Sequence, residues 1–153
     1  MSIIYNEKEK IFKLDTSGAS YVMGIEEKLG HLVHIYYGKK IKGDSSPAPL
    51  PGINFANKLW FMDGNPMEYP AGGCGDFRQH CIEIETKEGY TALEPVYVSH
   101  SISKGKPKLE GLPATFADDD ECSTLEIVLS DKPAGIEVTL LYSVFEELDV
   151  ITR

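Results

Sequence analysis

The chain has 153 residues, 42% of them hydrophobic and 10% aromatic, with a formal net charge of −9. That size and apolar content suit one domain with a sizeable core and exclude a disordered chain. The acidic balance and the lack of a basic stripe exclude a polyanion-binding surface, so nucleic acid is not an expected partner.

No apolar run approaches the roughly 18 residues that span a membrane, and no membrane partner is expected. The start, MSIIYNEKEK, carries its charges after its apolar residues and no apolar run follows, unlike a secretory leader. Cys74, Cys81 and Cys122 make an odd count, which together with the missing leader points to free, buried or partly buried thiols in a reducing cytoplasm.

The first part reads as a β meander. Ser2–Tyr5 and Ile11–Leu14 flank the polar turn Asn6-Glu7-Lys8-Glu9, with Ile11, Phe12 and Leu14 partly buried and Lys13 and Asp15 outward. Ser20–Ile25 follows the turn Thr16-Ser17-Gly18, and Leu32–Tyr37 follows Glu26–Gly30. Runs this short and this rich in Val, Ile and Tyr signal antiparallel hairpins. His31 and His34 are expected to line a strand face. Gly38–Gly43 ends the meander, and Asp44–Gly52 has prolines at alternate positions, as in extended polyproline-like chain. Ile53–Met62 is the one weak helix candidate. It contains Trp60, the only tryptophan, beside Phe61 and Met62. Exposed, that cluster is an anchor for a sugar or partner surface; buried, it plugs the core.

The stretch Gly64–Arg78, GNPMEYPAGGCGDFR, closes a strand-poor loop spanning residues 38–80. Gly72, Gly73 and Gly75 permit sharp turns and close backbone approach, while Pro66 and Pro70 restrict the chain around them. Such a loop on a β scaffold carries binding residues, or else it packs Tyr69 and Phe77 into the core. Asp76 and Arg78 stand two residues apart, on one face of an extended segment, with Phe77 pointing the other way as an anchor; the charged pair then faces a partner surface, or else forms an internal salt bridge on solvent.

Alternation returns in Cys81–Thr86 before the turn Lys87-Glu88-Gly89, and again in Val96–Ile102, which Pro95 opens. Lys104–Phe116 is turn-rich yet keeps Leu109, Leu112 and Phe116; Lys104, Lys106 and Lys108 read as a solvated face. Asp118–Glu121 lacks the glycine and spaced ligands of a calcium loop and reads as a solvated acidic turn. Thr124–Leu129 and Ile136–Val144 make a hairpin across Ser130–Gly135, and Val150-Ile151 begins a further strand. About nine or ten short strands without helical periodicity predict an all-β, antiparallel β-sandwich filling residues 1–153 as a single domain.

No nucleophile elbow, zinc-protease helix motif, phosphate loop or dinucleotide fingerprint occurs. Cys74, His80 and Cys81 lack a CxxC pair, so no metal and no cofactor is expected. Carboxylates are plentiful and the sequence cannot pair them, so the residues alone specify a soluble β-sandwich with one conspicuous loop and nothing more.

Several stretches go further. SYVMGI at Ser20–Ile25, LVHIYYGKKI at Leu32–Ile41, EYPAGGCGDFR at Glu68–Arg78, KGKPKLEGLPATF at Lys104–Phe116, and TLEIVL with GIEVTLLYSVFEELDVITR resemble, in order, the N-terminal domain of bacterial α-galactosidases of glycoside hydrolase family 36. The resemblance implies a supersandwich domain belonging to a larger glycosidase and leaves its last strands open, because the family pattern continues past Arg153. Both catalytic carboxylates of the retaining mechanism would sit in a (β/α)8 barrel outside this chain, so no residue here inherits either role. The implied partners are that barrel, neighbouring subunits of an oligomer and, in the full enzyme, terminal α-galactosides such as melibiose or raffinose. The residues matching a family loop that leans towards a neighbouring subunit's active site are Asp76 and Arg78, preceded by the segment from Asn54 to Asp63. An Asp-Arg-x-Phe stretch common in relatives is here Asn57-Lys58-Leu59-Trp60, leaving Trp60 as the substitute stacking surface. The alternative is a free-standing carbohydrate-binding or protein-interaction sandwich, which calls for its own concave aromatic face.

Overall fold

The computed structural model describes residues 2–48, 66–73, 76–111, 114–115, 117–118 and 121–153. Among them are eight strands and no helix. Ile3–Asn6 (β1), Ile11–Asp15 (β2), Ala19–Ile25 (β3) and Leu32–Lys39 (β4) form one four-stranded sheet in sequence order. Val96–Lys104 (β5), Ser123–Asp131 (β6), Ile136–Phe145 (β7) and Val150–Thr152 (β8) form the second, also in sequence order. Every pairing is antiparallel. Short polar turns join most neighbours, and neighbours joined that way can pair only as hairpins.

The alternation in the sequence sets which face is buried. Phe12, Leu14, Met23 and Ile25 from the first sheet meet Leu125, Ile127, Leu129, Leu140, Tyr142 and Val144 from the second in one core cluster. Cross-strand register puts like with like: Phe12 opposite Met23, Ile127 opposite Leu140, Leu125 opposite Tyr142. Leu140 is the inward residue at the centre of β7, 5% exposed, whereas Val138 is only partly buried. Leu140→Ala is therefore expected to lower stability by about 2–5 kcal/mol. A urea midpoint within error of the unsubstituted chain would show that the cavity closes or the residue does not pack.

An irregularity in β5 adds to the core. The register shifts between Tyr97 and Ser99, the mark of a β-bulge, and as a result Tyr97 and His100 both face inward. The Tyr97 hydroxyl and His100 Nδ1 are 2.7 Å apart. The His100 ring lies 4.3 Å from that of Tyr5, tilted to it, and 4.9 Å from that of Phe12, edge to face, so it packs across the gap between the sheets. At the far end the β7–β8 turn reaches the β2–β3 turn. Asp149 accepts bonds from the Thr16 hydroxyl and the Gly18 amide, and the Glu146 carbonyl accepts the Ser17 amide.

Three expectations need correction. Lys13 and Asp15 do leave the core face of β2, but they are 2% and 8% exposed rather than outward in solvent. Residues after β4 fold back over that outer face, and Lys13 Nζ donates to Asp15 (2.7 Å) and to the carbonyls of Ile41 and Gly43 (2.8 Å each). Ser20 completes the cover, donating to Asp15 at 2.6 Å and accepting the Ile41 amide at 3.0 Å. Second, Cys81–Thr86 keeps its alternating burial but joins no ladder, so the described strands number eight and none lies between Lys39 and Val96 among the described residues. Third, Cys81 is exposed, while Cys122 is buried as expected. The helix candidate Ile53–Met62, with Trp60, lies outside the described residues.

Candidate functional site

The loop that the sequence singles out begins by adding a rung beside β4. The His34 amide donates to the Pro66 carbonyl (2.7 Å) and the Glu68 amide to the Leu32 carbonyl (2.9 Å), with Met67 bridging Val33. That pairing turns the Glu68 side chain into the interior, where it is 3% exposed. A carboxylate so buried has to be satisfied by donors. Tyr21 of β3 donates to its two oxygens at 2.8 and 2.7 Å, and Tyr142 of β7 donates to Oε1 at 2.7 Å. Burial first, then the charge of Glu68, raises the pKa of both phenols, which stay protonated and donating. Arg153 stands 3.7 Å from Oε1, donates to the Glu68 carbonyl at 3.2 Å, and lies over the rings of Tyr69 (5.6 Å) and Tyr142 (5.8 Å). His34 Nδ1 is 3.8 Å from Oε2. One carboxylate thus receives donors from both sheets.

The loop next docks against the segment that leads into β5. Gly72 has φ +68° and bridges Leu93. Gly73 lies so close to Leu93 that an added Cβ would stand 1.9 Å from its carbonyl oxygen. Both glycines are needed, one for its dihedral and one for its missing side chain. Glu94, beside Leu93, approaches Nε2 of His31 at 3.1 Å. His31 is 1% exposed, and its Nδ1 has no hydrogen-bond partner among the described residues. Burial lowers its pKa below the ordinary 6.5, against the opposing pull of Glu94 and Glu26. Burial lowers His100 as well. The folded chain therefore binds fewer protons than the unfolded one once the pH drops below about 6.5, and stability falls with it. Thermal midpoints should decrease between about pH 7.5 and about pH 5.5, and His31→Gln should flatten the slope. A midpoint independent of pH across that window would contradict this account of the two histidines.

Asp76 and Arg78 bind each other. Arg78 Nε and Nη2 hold Asp76 Oδ1 and Oδ2 at 2.8 and 2.9 Å, a two-pronged fork, and the Arg78 amide adds a bond of 3.2 Å. The Asp76 amide closes back on the Gly73 carbonyl at 3.0 Å. Burial alone would raise the Asp76 carboxyl; the bonds and charge of Arg78 outweigh it and hold the pKa below the ordinary value. The orientation is the reverse of the one expected. Asp76 is 6% exposed and Phe77 is 75% exposed, so the acid is the buried residue and the aromatic ring is largely exposed. The Arg78 fork on the Asp76 carboxylate and the bond from the Asp76 amide to the Gly73 carbonyl hold the acid in that position. Tyr69, by contrast, does pack on the core. Trp60, the remaining candidate, lies outside the described residues, so the structure joins Asp76 to Arg78 but says nothing of Trp60.

Glu68 is the residue that motif and spacing miss. Its signal is local: an acid followed directly by Tyr-Pro in a glycine-rich loop. Its donors lie far away in the chain, at Tyr21, Tyr142 and Arg153, and no spacing rule connects them. The carboxylates of the assembled site are held by donors of the chain itself. The site's acceptors are filled by tyrosines and arginine, and no group of three or more metal-ligating side chains lies together among the described residues.

Comparison with known proteins agrees with that architecture. Residues 30–153 match the glycosyl hydrolase family 36 N-terminal domain. The bifunctional alpha-galactosidase/sucrose kinase AgaSK of Mediterraneibacter gnavus is 41% identical over all of this chain, which covers 17% of that protein. Alpha-galactosidase AgaA of Geobacillus stearothermophilus is 39% identical over all of this chain and 22% of its own length. The crystal structure of the family 36 alpha-galactosidase AgaB from the same organism superposes with a TM-score of 0.85 at 40% identity, over 99% of this chain and 21% of that one. The chain spans about a fifth of the length of these relatives. With the family match covering most of the sequence and the two-sheet fold reproduced in a solved member, the chain belongs to the glycosyl hydrolase family 36 N-terminal domain.

Proposed function

We propose that this chain is the non-catalytic N-terminal domain of an α-galactosidase that hydrolyses terminal α-D-galactosides of the melibiose and raffinose type. It supports oligomerisation, and its Asp76–Arg78 loop lines the active site of a neighbouring subunit in a cytoplasmic enzyme. The observation that carries the reading is 41% identity along the whole chain to an α-galactosidase several times its length. The described residues fold into two sheets and a loop whose acceptors serve structure, and the retaining reaction needs two free carboxylates flanking a sugar. The purified chain should accordingly show no turnover of a chromogenic α-galactoside, whereas the full-length enzyme should. Turnover by the chain above a tag-only control would overturn the non-catalytic assignment. Arg78→Lys in the full-length enzyme tests the interface role, since lysine keeps the charge beside Asp76 but loses the planar fork. The expected result is a raised KM or weakened assembly with a melting point close to the original. Unchanged kinetics and sedimentation would restrict Arg78 to the fold.

A further inference from the structure

We propose that Glu68 is the positioning residue of the loop from Pro66 to Cys81: its carboxylate ties that loop to both sheets at once and so sets where the Asp76–Arg78 fork stands. The importance of that fork in the enzyme rests on the reading given under Proposed function; the positioning itself does not.

The geometry is that of a clamp rather than of an ordinary core contact. Backbone bonds hold residues 66–68 to β4, that is, to one sheet. The Glu68 side chain carries the attachment across, through Tyr21 on β3 and Tyr142 on β7. Arg153, just beyond β8, reaches the same carboxylate and the Glu68 carbonyl, and its guanidinium covers the ring of the next residue, Tyr69. From there the chain has little freedom. The Pro70 carbonyl accepts the Cys81 amide at 2.8 Å, Gly72 bridges Leu93, and the Gly73 carbonyl accepts the Asp76 amide at 3.0 Å. A carboxylate suits this post because it offers two oxygens and a charge to donors arriving from different directions. Glutamine offers one oxygen and turns an amide towards groups that are themselves donors.

The competing explanation is that the Gly73–Leu93 contact holds the loop by itself. Amide hydrogen exchange on the 153-residue chain separates the two, because it reads local and global opening independently. In Glu68→Gln the amides of Glu68, Asp76 and Cys81 should exchange about tenfold faster or more, while those of Ile127 and Leu129 in β6 change far less. Loop amides that keep their rates would overturn the proposal, and so would a uniform acceleration of loop and sheet together. If Glu68→Gln fails to fold, Tyr142→Phe removes one donor and keeps the carboxylate, and the same pattern is required of it. In the full-length enzyme Glu68→Gln should reproduce the effect of Arg78→Lys on KM or assembly, and the double variant should add little to either. An effective Arg78→Lys beside a silent Glu68→Gln also overturns the proposal. If both are silent, the interface reading falls, and the exchange pattern alone decides the role of Glu68.

Discussion

Lys13→Met is expected to cost the fold about 3–5 kcal/mol, the penalty for removing one partner of a buried ion pair. Methionine matches the length and flexibility of the lysine stem, so the loss would come from the charge and its bonds rather than from a cavity. Three acceptors would lose their donor: the Asp15 carboxylate and the carbonyls of Ile41 and Gly43. Asp15 would keep its bond from Ser20. The same substitution loosens the segment after β4 on the outer face of β2, where the Ile41 amide on Ser20 and the Lys40 amide on the Gly18 carbonyl remain. The Ser46 amide on Glu9 and the Asn6 side-chain amide on the Asp44 carbonyl lie further out, the latter at 3.3 Å and exposed. Urea denaturation measures both effects, the midpoint reporting stability and the slope the surface exposed. A loss below about 1 kcal/mol would show that Lys13 behaves as a surface residue. Replacing the whole pair, Lys13→Met with Asp15→Leu, should recover part of the loss, because no unpaired charge then remains buried.

Gly73→Ala is expected to be the most damaging of the loop substitutions, at roughly 3 kcal/mol or more, the upper end of what overpacking costs. The added Cβ would stand 1.9 Å from the Leu93 carbonyl oxygen and 2.6 Å from its carbon. Those are backbone atoms of the segment running into β5, so relief requires one chain to move away from the other. Gly72→Ala makes the informative comparison. Its Cβ meets the end of the His80 side chain at 2.4 Å, which can swing aside, and its φ of +68° costs about 1–2 kcal/mol for an L residue. The two neighbouring substitutions should therefore differ clearly in melting temperature, with Gly73→Ala the lower. Equal effects would mean that the loop does not dock on Leu93 as described.

Much of the fold is legible in the amino-acid sequence. The eight strands lie at nearly the bounds their runs predict, since β-branched and aromatic residues alternate there and polar turns of a few residues separate most of them. Cys81–Thr86 shows the limit of that signal. Alternation says which side chains point inward, and its burial does alternate, but a strand needs a ladder, and the bond from the Cys81 amide to the Pro70 carbonyl does not extend into one among the described residues. Asp76 and Arg78 show a similar division. Their spacing puts them on one side of the chain; that they bind each other with the acid buried is a matter of the folded loop.

The sequence by itself determined the all-β class, the antiparallel hairpins on either side of the long loop, and the family. Each of these follows from period-two patterning, turn chemistry or a motif, all of which are local in the chain. Only the tertiary structure decided the fate of the charges within it. Lys13 and Glu68 look like solvated residues in sequence because hydropathy counts one residue at a time. In the folded chain their partners come from Ile41 and Gly43 on one side and from Tyr21, Tyr142 and Arg153 on the other. Burying a charge is tolerable only when such donors and acceptors converge on it, and that convergence is created by packing two sheets and folding a loop between them.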